Sequence, residues 1–200
     1  MEPVKTRIPV TVYAEETPNP NSMKFVASYY LLPEGIAEYT SIEETEGSSP
    51  LAKELFGFPY IKNVFITANF VSVIKTNDVE WFEVTQELRT FIKEFLANGG
   101  ESIIKLPTPK KVETTAPALS ANDAEVVAKI MGALDEFVRP AVEQDGGAIT
   151  FRSFENGTVN VILQGSCSGC PSSTVTLKNG IENLLTRMIP EVKEVVAIGE

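Results

Sequence analysis

The chain has 200 residues, 43% of them hydrophobic and 22% charged, a composition that buries a core and excludes a disordered or collagen-like chain. Seventeen basic and 27 acidic side chains leave a formal charge of -10, which opposes nucleic acid as a main partner, and the absence of histidine removes His-bearing triads and zinc patterns. The two cysteines sit in one C-x-x-C, no apolar run has membrane-spanning length, and the first ten residues do not read as a secretory leader, so a soluble protein of a reducing compartment, cytoplasmic in location, is expected.

In the first half, Val10 to Tyr13 and Met23 to Leu32 read as strands around the turn Thr17-Pro18-Asn19-Pro20-Asn21. Ser49 to Leu55 reads as a short helix with a serine cap and Pro50 in its first turn, ended by Gly57 and Pro59. Val64 to Thr67 and Phe70 to Thr76 are strands separated by Ala68-Asn69, the spacing of a tight hairpin. Thr85 caps an expected helix from Gln86 to Ala97, whose apolar residues Leu88, Phe91, Ile92, Phe95 and Leu96 recur every three or four positions.

Periodicity then stops. Residues 101–122 combine prolines 107, 109 and 117 with Thr, Ala and Lys and read as a linker, so domains over 1–100 and 123–200 are expected. Residues 1–120 hold 11 basic and 16 acidic groups and residues 121–200 hold 6 and 11, so each part carries -5 and charge does not distinguish them.

The second half opens with a helix from Ala124 to Val138, capped by Asn122 or Asp123, with a stripe of Val127, Ile130, Met131, Leu134, Phe137 and Val138. After Asp145-Gly146-Gly147, strands Ala148 to Phe154 and Thr158 to Leu163 are joined at Glu155-Asn156-Gly157, where Asn-Gly favours a hairpin turn. A helix opening at Ser172 or Ser173 carries Leu177, Ile181, Leu184, Leu185 and Met188 toward a core, Pro190 closes it, and Val192 to Ile198 is a last strand. The fold class is α+β: two small sandwich-type domains joined by a Pro/Thr/Ala-rich linker, the C-terminal one αββαβ.

Chemistry concentrates at Gly165-Ser166-Cys167-Ser168-Gly169-Cys170-Pro171, where glycines, soft ligands and a helix N-terminus converge. The positive helix end is expected to favour thiolates there. An iron-sulfur or tetrahedral zinc centre commonly needs four protein ligands, and one chain offers two, so a bridged homodimer follows from ligand counting if a cluster binds. The spacing alone equally describes a dithiol/disulfide pair, a zinc clip between two chains, or two cysteines without chemistry.

The residues themselves resemble a known family. Asp145-Gly146-Gly147, the Asn156-Gly157 hairpin, the segment from Gly165 to Ser173 and the following TLKNGIENLL are similar to the C-terminal domain of NifU-like (Nfu-type) iron-sulfur scaffold proteins over about residues 123 to 198. The first half resembles the Nfu N-terminal domain through Glu16-Thr17-Pro18-Asn19-Pro20-Asn21-Ser22-Met23-Lys24-Phe25 and FPYIKNVFITANFVSVIK. The resemblance implies a scaffold or carrier, not an enzyme, with Cys167 and Cys170 ligating a [4Fe-4S] cluster across a homodimer and donating it to apo-protein clients, upstream scaffolds being further partners. Four thiolates hold a [2Fe-2S] centre equally well. Ser72 departs from the threonine that relatives often place after the Phe-Val pair, and the chain lacks the extra cysteines and aspartate-bearing scaffold domain of full nitrogen-fixation NifU proteins.

Other features read as structure. Asp145 is a hard ligand beside two soft ones and suits a helix-to-strand turn. The Thr17 to Asn21 segment reads as a turn, the aromatics Phe56, Phe58, Tyr60, Phe65, Phe70, Trp81 and Phe82 mainly as core, Glu43, Glu44, Glu46, Asp135 and Glu136 as solvated surface, and Lys110 and Lys111 as linker solubilisers.

Overall fold

The computed structural model describes residues 9–107, 121–168 and 171–199, with the backbone alone for 121–123 and 171–173. The chain divides into two compact units, Met1–Thr108 and Pro109–Glu200. The fold class expected from sequence is the one observed, an α+β chain with an αββαβ arrangement in its C-terminal part.

The first unit is a five-stranded antiparallel sheet in the order β1-β2-β5-β4-β3, built from β1 (Val12–Glu16), β2 (Ser22–Ala27), β3 (Leu32–Tyr39), β4 (Ile61–Ala68) and β5 (Phe70–Lys75). Two helices, α1 (Pro50–Leu55) and α2 (Trp81–Ala97), share one core with a single face of this sheet. Phe25, Val64, Ile66, Val71 and Val73 meet Leu51, Leu55, Leu88 and Ile92 there, all of them fully buried. Each such side chain contributes about 1.5–3 kcal/mol through area removed from water. The other face is ordered by register, with Glu15 opposite Lys24, Lys24 opposite Ser72, Ser72 opposite Phe65 and Phe65 opposite Glu38. Along that row Lys24 pairs with Glu15 at 3.3 Å and lies 4.7 Å over the Phe70 ring.

Three local differences from the sequence reading have physical causes. Strand β3, which the sequence did not announce, contains Pro33 and Gly35; it lies at the sheet edge, where a missing N–H is tolerated, and its register shifts between Leu32 and Ile36. Helix α2 begins at Trp81 and not at Gln86, because Glu80 and Glu83 form a reciprocal capping box, while the Thr85 hydroxyl donates to the Trp81 carbonyl at 2.6 Å. The hairpin between β4 and β5 turns at Ala68 with φ +44°, and its carbonyl takes the Leu31 amide at 2.7 Å, so tertiary hydrogen bonding holds a non-glycine residue in the left-handed region.

Residues 101–107 are tied to the first unit. The Ser48 hydroxyl donates to the Lys105 carbonyl at 2.6 Å and lies 2.7 Å from the Tyr39 hydroxyl, and the Ser102 hydroxyl donates to the Leu31 carbonyl at 2.6 Å. Lys110 and Lys111 lie outside the described residues.

In the second unit, α3 (Ala121–Ala133) runs through a π-helical turn at Leu134–Val138 into α4 (Arg139–Gln144). Pro140 is the cause: it has no N–H to give and its ring crowds the carbonyl four residues back, so the backbone widens by one residue. The helix therefore passes Val138, the expected end. Ile130, Leu134 and Val138 are buried, but Met131 and Phe137 of the expected stripe are exposed, and Asn122 and Asp123 lie inside the helix instead of capping it.

A three-stranded sheet follows in the order β6-β7-β8, from β6 (Gly147–Glu155), β7 (Thr158–Gly165) and β8 (Glu194–Gly199). Asn156 and Gly157 have φ values of +54° and +92°, the conformation for which Asn-Gly is suited. Strands β6 and β7 are antiparallel, while β7 and β8 are parallel and joined by α5 (Pro171–Met188) as a crossover. Val159, Val161 and Leu163 alternate into a core with Ile149, Ile181, Leu185 and Val195, and Met188 at the end of α5 is exposed.

Candidate functional site

The site grows out of the open end of the β6-β7 hairpin. Gly165, at φ +68°, ends β7 opposite Gly147, and Gly146, at φ +80°, turns the chain from α4 into β6. Two adjacent glycine turns bring the Asp145-Gly146-Gly147 segment against Ser166-Cys167-Ser168. The Ser166 amide donates to the Gly146 carbonyl at 3.2 Å and its hydroxyl donates to the Asp145 carbonyl. Ser168 gives both its amide and its hydroxyl to the Gly165 carbonyl, at 3.1 and 2.8 Å. From the first turn of α5, the Thr174 hydroxyl donates to the Cys167 carbonyl at 3.1 Å.

Cys167 is a free thiol, only 5% exposed, and belongs to the hydrophobic core of its unit. Its Sγ is 3.9 Å from the Ser166 hydroxyl. A side chain at position 147 would begin 2.7 Å from that sulfur and 2.6 Å from the Gln164 carbonyl oxygen, so glycine is required for Cys167 to lie where it does. Burial pushes the thiol up to about 11, with the Ser166 contact pulling the other way and the Asp145 charge adding to the rise. Burial thus outweighs the helix end that the sequence reading expected to favour thiolate. The Ser166 and Ser168 amides are occupied by the Gly146 and Gly165 carbonyls.

Cys170 and Gly169 lie outside the described residues, and Pro171 begins α5, just before the opening expected at Ser172 or Ser173. Asp145 is a turn residue: its amide closes α4 onto the Ala141 carbonyl at 3.0 Å. Among the described residues no group of three or more cysteine and carboxylate ligands forms. Two residues near Cys167 were not assigned such a role from sequence. Thr174 carries no motif signal, whereas Gly147 was visible as the second glycine of the Asp-Gly-Gly turn.

Elsewhere, the proline-rich segment is a turn stitched from within. Thr17 donates to the Asn19 and Ser22 carbonyls at 3.0 and 3.2 Å, and Asn19 accepts the Asn21 amide at 3.0 Å. The Trp81 indole N–H fastens that turn to α2 through the Pro20 carbonyl at 2.8 Å. Phe58, Tyr60, Phe91 and Phe95 pack on one another, while Phe82 is 84% exposed. Glu46 pairs with Lys53 at 2.7 Å and Asp135 with Arg139 at 2.6 Å, both at the surface. No helix among the described residues is long and apolar enough to cross a membrane.

Two family models match the chain: "Scaffold protein Nfu/NifU N terminal" over residues 12–99 and "NifU-like domain" over residues 130–196. Among curated proteins, "NFU1 iron-sulfur cluster scaffold homolog, mitochondrial" of Drosophila erecta is 40% identical, the alignment covering 96% of this chain and 66% of that one. The Homo sapiens protein of the same description is 38% identical over 92% of this chain and 70% of its own. "NifU-like protein 4, mitochondrial" of Arabidopsis thaliana is 37% identical, with 92% and 64% covered. The chain thus spans about two thirds of the length of these relatives. The solution structure of a NifU-like protein from Saccharomyces cerevisiae aligns with a TM-score of 0.41 at 23% identity, covering 52% of this chain and 91% of that one. The expected cytoplasmic location is corrected by these relatives, which are described as mitochondrial. That expectation rests on cysteine usage, which does not distinguish one reducing compartment from another.

Proposed function

The chain belongs to the Nfu/NifU family of iron-sulfur cluster scaffold proteins, a family of carriers and not of catalysts, and from that premise we propose that its C-terminal part carries a [4Fe-4S] cluster as cargo between two copies of itself. Cys167 and Cys170 of each copy supply the four thiolates. The observation that carries this reading is the ligand set: two cysteines per chain, no histidine, and both cysteines within one motif of the matched NifU-like domain. Four soft thiolates suit iron-sulfur cargo better than any carboxylate nearby.

Release follows from ligand exchange. A client thiolate bonds to a cluster iron as the Cys167 or Cys170 thiolate leaves, and the proton lost by the client thiol is taken up by the departing one. No electron is transferred and no nucleotide is consumed. The C-terminal unit is the cluster-binding domain, and the N-terminal unit, to which residues 101–107 are bonded, is an accessory domain. The partners are a second copy, apo iron-sulfur clients and upstream scaffolds, without nucleic acid or membrane.

The test is transfer. Protein loaded anaerobically with iron and sulfide, mixed with an apo-ferredoxin, is expected to yield holo-ferredoxin faster than free iron and sulfide do, even with a chelator present. Cys167→Ser and Cys170→Ser are each expected to abolish cluster retention. A dithiol oxidoreductase would instead reduce insulin without iron, and a zinc clip would hold about one zinc per two chains with no visible absorption. Either result overturns the proposal.

A further inference from the structure

Building on the carrier reading, the position of Cys167 carries a second step. A sulfur that bridges cargo to another subunit has to reach the surface. Here the same sulfur lies in the hydrophobic core of its own unit, over Gly147, where no side chain fits beneath it. Its main chain is held in that orientation from both sides. Thr174, in the first turn of α5, donates to the Cys167 carbonyl at 3.1 Å. Ser166, the preceding residue, is bonded to the Gly146 and Asp145 carbonyls. The arrangement is closed: the buried thiol, the glycine floor and the hydroxyl bonds all belong to a state in which Cys167 is not presented.

We infer that the cluster-free chain stores Cys167 inside its C-terminal unit, with Gly147 and Thr174 as positioning residues, and that taking up cargo requires this side chain to be turned outward. Storage lowers the apparent affinity for cargo by the fraction of chains in which Cys167 is presented, because the ligand binds only that state. It also gives the empty carrier a lower-energy form to return to, which favours handing the cluster on. On loading, the thiol gives up its proton to solvent as its sulfur bonds iron. Thr174 and Gly147 touch no cargo in this account; they act through Cys167.

The experiment uses the full chain with Cys170→Ser, so that one thiol remains, free of iron. Alkylation of Cys167 by N-ethylmaleimide is followed by mass spectrometry in buffer and in urea at the same pH. The folded chain is expected to react at least tenfold more slowly than the unfolded one. Thr174→Val is expected to speed the folded reaction about fivefold, the worth of one neutral hydrogen bond, while the chain stays folded in buffer by circular dichroism. Gly147→Ala is expected to speed it further, and should it fail to fold, Ser166→Ala serves in its place. With both cysteines restored, Thr174→Val is expected to lose iron to a chelator more slowly than the parent, by a similar factor. Equal rates for folded and unfolded chains, or folded rates indifferent to all three substitutions, overturn the inference. A chain that shields Cys167 yet retains no iron contradicts the carrier reading and leaves the storage of the thiol standing.

Discussion

The two units bury polar groups by the same device and use it differently. In the first, hydroxyls close the structure: Ser49 accepts the Ala52 amide at 3.0 Å as the cap of α1 and donates to the Ser102 carbonyl at 2.5 Å. In the second, Ser166, Ser168 and Thr174 also donate to backbone carbonyls, but the segment they fasten holds a buried sulfur. A buried, satisfied hydroxyl is therefore no mark of function. What distinguishes the second unit is the soft, titratable atom at the centre of its network.

The comparison is broken most forcefully through the cores. Leu88→Ala in the first unit and Leu163→Ala in the second each remove a fully buried side chain and are expected to cost about 2–5 kcal/mol. The single tryptophan, Trp81, belongs to the first unit. In urea, Leu88→Ala is expected to shift the fluorescence transition, whereas Leu163→Ala shifts the circular dichroism transition and leaves fluorescence in place. One common shift for both variants would contradict two separate cooperative units.

A smaller effect sharpens the chemical difference. The Cys167 thiol is raised from about 9 to about 11. A group with a raised folded value gives stability that is present below its unfolded value and lost as pH climbs through the folded one. The second unit is therefore expected to lose about 2–3 kcal/mol between pH 9 and pH 11 beyond what Cys167→Ala loses, since each tenfold change in a proton equilibrium is worth about 1.4 kcal/mol. Urea titrations of both proteins across that range check it, and parallel pH profiles would count against a buried thiol. Smaller again is Ser49→Ala, expected to cost about 1–2 kcal/mol through a lost cap and a lost hydrogen bond. Its control is chemical: Cys167 alkylation should not change, because this hydroxyl serves closure alone.

Much of the second unit was legible because its signals are local. Asn156-Gly157 requires positive φ at both residues, β7 alternates strictly, and the C-x-x-C falls between a strand end and a helix start, all of which appear in a short window of sequence. What the sequence did not announce was decided by tertiary context. Pro33 and Gly35 break a strand unless it lies at an edge, and edges are set by pairing with β4. Pro140 ends a helix unless a wide turn absorbs it, and that turn rotated Phe137 outward. Glu80 is a poor cap by residue type and caps α2 only through its reciprocal bond with Glu83. At the site, spacing located Cys167 but not its direction, because a turn after β7 has no periodicity from which to read a face. The trace it left was Gly147, 20 positions upstream, whose missing side chain makes room for the sulfur.

The central claim, a cluster shared by two chains, is tested most directly by anaerobic reconstitution followed by native mass and by iron and sulfide analysis of the same sample. The account predicts about four irons and four sulfides on a dimer, a composition suited to four thiolates, and a monomer again once a chelator removes the metal. A single chain that holds a complete cluster, or a reduced chain that holds no iron and stays monomeric, would contradict it.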